Sequence, residues 1–268
     1  MSIYDGITGW EKSLLPAEPY FAIVHIGLPL ALFALFGGLV YRKLRRLFLP
    51  GGVHMETPAE YAGLIIGLSP CRRSGTLELI ETTAQTAAAG AALNLAQTAA
   101  PPSQDLLNTV GQSNWGPLLA AVRHHAPALA HCWLLCSTGA DGSADQFAAA
   151  ASLVGLLAPA AACHKVEVED ANDLVEVWER IGPIYRRAAA LGLAPARIIA
   201  DLTGGTSAVS GAIALATASE DRDLEYLRQD IRLFDQDAGR CLTREEVIAK
   251  KLLVFLRTGP HLVPDNPA

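Results

Sequence analysis

A chain of 268 residues that is 51% hydrophobic, only 18% charged and carries a formal net charge of −6 is too apolar for an ordinary core alone. The acidic balance argues against a broad nucleic-acid face, so neither DNA nor long RNA is expected as a partner. The length suits one apolar element plus one domain of ordinary size.

Residues 1–18 carry Asp5, Glu11, Lys12 and Glu18 and are expected to lie outside a membrane or at its surface. Residues 19–41 come next, and from Tyr20 to Tyr41 no Asp, Glu, Lys or Arg interrupts the run. At roughly 1.5 Å per residue it reaches roughly 33 Å, against a hydrocarbon core about 30 Å thick, which predicts a transmembrane helix. The alternative, a cleaved signal peptide, needs a basic leading flank and a small-residue cleavage site, and neither is present. Arg42, Lys43, Arg45 and Arg46 follow the run, so the positive-inside rule predicts a single-pass protein of the inner membrane, its N-terminus outside. His25 and Pro29 share one face of this predicted helix and are candidate pore-lining residues of an oligomer, with the bilayer as a partner. Equally, His25 lies only about 8 Å into the span, within reach of the interface. Residues 42–58 read as a basic juxtamembrane linker.

The domain is expected over 59–268. Tyr61–Leu68 is a continuous apolar run ending at Ser69-Pro70, which predicts a buried parallel strand. An Ala- and Leu-rich helix is expected from about 77 to 99, broken by Pro101-Pro102, then a helix over about 116–127 and a strand at Cys132–Ser137. Ser143 and Gln146 have capping-box spacing for a helix to about Leu157. His164–Val168 alternates like a strand. Asp173–Leu191 reads as a helix that Pro183 bends or splits. Arg197–Leu202 is the next strand, Ser207–Ala218 a helix, and Leu224–Phe234 one or two strands. Thr243 and Glu246 open a last helix to about Leu256. This alternation predicts an α/β, Rossmann-like, mostly parallel sheet. The five cysteines (71, 132, 136, 163 and 241) form no CxxC, so zinc is not expected and reduced thiols are.

Ligands of open parallel sheets bind beyond the carboxyl ends of the strands. That rule selects Ser69–Ser74, Ser137–Ser143 and Asp201–Ser207. In the third segment Gly204 and Gly205 let the backbone turn tightly before a helix whose amino end favours an anion, and Thr203, Thr206, Ser207 and Ser210 line the same rim. The bland alternative is a strand-to-helix turn with ordinary Ser/Thr capping. GxGxxG, GxxxxGK[ST] and GxSxG are all absent, so a dinucleotide enzyme, a triphosphatase and a serine hydrolase are disfavoured.

The segment IIADLTGGTSAVSGAIALA resembles the signature of CARF domains, the CRISPR-associated Rossmann folds that sense cyclic oligoadenylates, and LIIGLSP and SNWGPLLAAVRHHAPALAHCWLLCSTG are similar to CARF sequences. The resemblance spans roughly residues 60–235. With the predicted anchor, the chain looks like a membrane-anchored CARF effector of type III CRISPR systems. The resemblance implies a homodimer sharing one cyclic ligand, usually tetra-adenylate, with no cofactor and no catalytic residue. Its implied contacts are Ser69, Pro70, Cys71 and Arg72; Ser137, Thr138 and Gly139; and Thr203, Gly204, Gly205, Thr206 and Ser207. Asn114 and Trp115 match a recurrent pair, Trp115 either stacking on an adenine or packing in the core. Many CARF signatures carry Lys where this chain has Ser207. That difference argues against ring-nuclease activity, and Arg72 or Arg73 replaces the charge. The implied output is a pore that depolarises the membrane. The alternatives are a membrane-tethered ring nuclease and a generic anchored nucleotide-binding adaptor.

Overall fold

The computed structural model describes residues 59–92, 102–139, 141–218, 222–228 and 233–257, all within the unit spanning residues 50–268. In chain order they form β1 (Gly63–Leu68), α1 (Thr76–Ala92), α2 (Gln104–Gly111), α3 (Gly116–His125), β2 (His131–Ser137), α4 (Phe147–Leu157) and β3 (Ala162–Val168). Then come α5 (Leu174–Ala190), β4 (Ile198–Asp201), α6 (Ser207–Thr217), β5 (Asp223–Leu227), β6 (Phe234–Asp235), β7 (Arg240–Cys241), α7 (Arg244–Ala249) and β8 (Leu253–Arg257).

The main sheet has the order β3-β2-β1-β4-β5-β8. Its first five strands are parallel, and β8 runs antiparallel beside β5. β1 is fully buried, which explains why its sequence is apolar at every position rather than at alternate ones. Successive side chains point to opposite faces, so the sheet splits the core in two. Leu64, Ile66, Cys132, Leu134 and Ile199 join Ile80, Leu106, Leu119 and Leu153 on one side. Ile65, Trp133, Leu135, Ile198 and Ala200 meet α5 and α6 on the other. The buried residues of α5 are Val177, Ile181, Ile184, Tyr185 and Ala188, one helical stripe that holds the helix together through Pro183 without a split.

The α/β, mostly parallel fold is as expected, but the membrane-spanning part of that expectation is corrected. Among the described residues no helix is long and apolar enough to cross a membrane. The longest, α1 and α5, have 17 residues each and reach only about 25 Å, and α5 carries charges along its outer face. The single-pass inner-membrane placement, the bilayer as partner and a pore lined by His25 and Pro29 lose their support with it. Residues 19–41 and the linker 42–58 lie outside the described residues.

Three local expectations also change. Ser143 does not cap a helix, because its hydroxyl closes the loop after β2, and Gln146 reaches another loop. The helix α2 was hidden behind the proline break; Ser103 caps it. The last helix stops at Ala249, since Lys251 takes the left-handed conformation (φ 50°), and the apolar residues beyond it form β8. The capping box at Thr243 and Glu246 does form, with Arg240 paired to the same Glu246 carboxylate at 2.7 Å.

Candidate functional site

Strand order departs in both directions from β1 and β4, so the crevice beyond their carboxyl ends is the topological switch point of the sheet. Loop 1 (Ser69–Gly75) leaves β1 there and loop 3 (Leu202–Thr206) leaves β4, while loop 2 (Thr138–Ser143) leaves the neighbouring β2. The two central strands part backbone against backbone. A Cβ on Gly204 would lie 2.2 Å from the Gly67 carbonyl oxygen, and one on Gly67 would lie 2.8 Å from that of Gly204. Gly204 is therefore required by the neighbouring strand, whereas Gly205 is required by its φ of +85°.

Loop 1 is pinned at four consecutive residues. Trp115 Nε1–H donates to the Ser69 carbonyl at 2.7 Å, and Asn114 Nδ2 donates to that of Pro70 at 2.6 Å. The Arg72 N–H donates to Asn114 Oδ1 at 3.4 Å. The Cys71 N–H donates to Gln146 Oε1 at 2.6 Å, and Gln146 Nε2 returns a bond to the Cys71 carbonyl. Trp115 is 1% exposed, so its indole supports the rim from beneath and presents no face to a base. Asn114 and Arg72 are exposed, Ser69 and Pro70 half-buried, and Cys71 buried.

In loop 2 the hydroxyls of Ser137 and Ser143 accept each other's backbone N–H at 3.2 Å. The Thr138 N–H donates to Val168, and Thr138 and Gly139 are left exposed at the rim. In loop 3 Asp201 Oδ1 accepts from the N–H groups of Thr203 (2.7 Å) and Gly204 (3.0 Å), and the Thr203 hydroxyl donates to Oδ2. That hydroxyl also accepts from the Leu227 N–H. Thr206 caps α6 by accepting from the Val209 N–H and donates to the Ala171 carbonyl. Ser210 donates to the Leu202 carbonyl. The hydroxyls read as a ligand rim are thus mostly spent within the loop. What faces solvent is Ser207, with Arg72 and Arg73 across the crevice. Thr206 takes the Val209 N–H through its hydroxyl and the Ser210 N–H through its carbonyl, which leaves the N–H groups of Ser207 and Ala208 as the first-turn donors of α6 with no carbonyl within the helix.

Beneath loop 3 lies a buried polar network that the residue pattern alone did not reveal. Asp201 and Glu225 are register partners on β4 and β5, and both are fully buried. Burial first, and the charge of Glu225 second, push the Asp201 carboxyl up to about 8 against the N–H groups of Thr203 and Gly204. Glu225 Oε2 lies 3.0 Å from His125 Nε2, and the Tyr61 N–H donates to His125 Nδ1, so the ring proton sits on Nε2 and points at Glu225. The Tyr61 hydroxyl donates to Asp223 at 2.7 Å. The signal for Asp201 was present in the sequence, an Asp at a strand end two residues before Thr-Gly, the usual setting of a side-chain turn. Gln146 was marked locally only as a capping-box partner of Ser143, and nothing local marked His125 or Glu225. Among the described residues no three His, Cys, Asp or Glu side chains are placed to share a metal ion.

Fold and site together define a Rossmann-like domain whose switch-point crevice is bordered by hydrogen-bonded loops. No family model and no curated protein matches the chain. Among solved structures, a type III CRISPR defence DNA nuclease activated by cyclic oligoadenylate is matched at 16% identity and a TM-score of 0.36. The match takes in 70% of this chain but only 22% of the nuclease, and a likeness of that size does not decide a function.

Proposed function

We propose that this chain is a receptor for a cyclic oligoadenylate, cyclic tetra-adenylate first, in type III CRISPR defence, and that it binds the messenger without cleaving it. The observation that carries this reading is that loops 1 and 3 flank the switch point with loop 2 on the next strand, loop 1 pinned from two neighbouring segments and loop 3 opening onto the amino end of α6. A ring of phosphodiesters needs donors that are fixed before it arrives, since ordering them on binding would cost affinity. Ser207 offers a hydroxyl and Arg72 and Arg73 supply cations. A second copy of the chain completes the site. Leu174, Val175 and Trp178 of α5 are exposed beside Ala171, the residue that anchors Thr206, and give that copy an apolar surface to cover.

The test is calorimetry of the full chain with cyclic tri-, tetra- and hexa-adenylate, linear tetra-adenylate, NAD and a sugar nucleotide. Chromatography of the recovered nucleotide accompanies it. We expect one intact ring bound per two chains, and loss of binding in a folded Ser207→Glu variant. Preference for NAD or a sugar nucleotide would overturn the ligand assignment. Recovery of linear fragments would make the protein a ring nuclease.

A further inference from the structure

We propose that Cys132 and Cys163 form a peroxide-responsive dithiol, a covalent modification site that closes to a disulfide between β2 and β3. The two residues are register partners on adjacent parallel strands, and both side chains lie on the same face of the sheet. Adjacent strands are about 4.8 Å apart, within the roughly 4.4–6.8 Å between Cα atoms that a disulfide bridges. Cys132 is fully buried. Cys163 is half-buried on β3, the edge strand, and lines an open groove of about 560 Å³ with Phe147, His164, Lys165 and Arg187.

This placement separates the pair from the other thiols. Cys71, Cys136 and Cys241 are buried, and Cys136 faces Glu167 across the strands rather than another sulfur. Within the pair the roles are unequal. Cys163 is the more exposed of the two, and the neighbouring Cys132 thiol holds its proton affinity below the usual thiol value. The Cys163 neighbour, and burial, push Cys132 up.

The chemistry follows from that inequality. The Cys163 thiolate attacks a hydroperoxide, the O–O bond breaks, and Cys163 becomes a sulfenic acid, while the leaving hydroxide or alkoxide takes up the proton that Cys163 gave up on ionising and departs as water or alcohol. Cys132 then attacks the Cys163 sulfur, the S–O bond breaks, and the departing hydroxide takes the Cys132 proton as water. Two thiols lose two electrons in all, and one peroxide is reduced.

Hydrogen peroxide added to the reduced full chain, followed by alkylation and non-reducing peptide mapping, tests this. We expect two of the five thiols to be lost together, in one linked peptide pair joining residues 132 and 163. Cys132→Ser should leave Cys163 as a sulfenic acid that dimedone traps, and Cys163→Ser should leave Cys132 reduced. Cys163 trapped by dimedone in the wild type without any 132–163 link, a link between other cysteines, or no thiol loss at a peroxide dose that oxidises a free thiol would each overturn the proposal. The wild-type map is decisive even if a variant fails to fold.

Discussion

Replacing Asp201 two ways separates its structural role from its charge. Asp201→Ala removes the acceptor of the Thr203 and Gly204 N–H groups. A buried donor left unmade costs about 1–3 kcal/mol; counting Gly204 in full and half-buried Thr203 at about half gives a loss on the order of 2–4 kcal/mol. Asp201→Asn keeps Oδ1, which accepts both bonds, and removes a carboxyl whose register partner is Glu225. The charge has a separate signature. The folded carboxyl is raised from 3.8 to about 8, so between those values the folded chain holds a proton that the unfolded chain has lost. Wild-type stability should therefore fall as pH rises through that window, by up to about 1.4 kcal/mol per pH unit, and level off above it. The Asn variant should lack this slope and overtake the wild type near the upper end. Urea unfolding of all three proteins from about pH 5 to 8 checks both parts. Equal slopes in wild type and Asp201→Asn, or Ala and Asn variants of equal stability, would refute the reasoning.

Gly204→Ala places a methyl group 2.2 Å from the Gly67 carbonyl oxygen, so the central strands must part; a loss of about 3 kcal/mol or more in urea unfolding is expected. Trp115→Phe keeps most of the packing but abandons the Ser69 carbonyl, which should cost about 1 kcal/mol and weaken nucleotide binding in calorimetry while the melt stays cooperative.

The parallel core was legible because its strands are short apolar runs alternating with helices, and β1, α5 and α6 fall close to the expected spans. The three loops were legible for the same reason, since a strand end predicts a loop. The work done by each residue within them was not. The side chains of Trp115, Asn114 and Gln146 reach loop 1 from residues 42–75 positions away in sequence, a distance no local pattern encodes. The apparent capping box at Ser143 misled because Ser and Gln at that spacing are equally able to bond within a neighbouring loop. The residues that became β8 have the period of a buried helix turn as much as of a strand, and only their partner, β5, decides between the two. The membrane expectation rested on a run outside the described residues, and no described helix supplies a span.

The antiparallel β8 has a consequence for how the chain is made. Strands β1 to β5 can assemble in order as they emerge, but β5 carries Asp223 and Glu225 toward an interior that β8 helps to close, and Phe255 of β8 stacks on the ring of Tyr61 at 6.3 Å. A nascent chain that has released residues only to about 250 thus presents a bare, hydrogen-bonding strand edge beside carboxyl groups still open to water. Completion of this domain during synthesis is therefore a dehydration step as well as a strand pairing, and it joins the first described residues of the domain to the last.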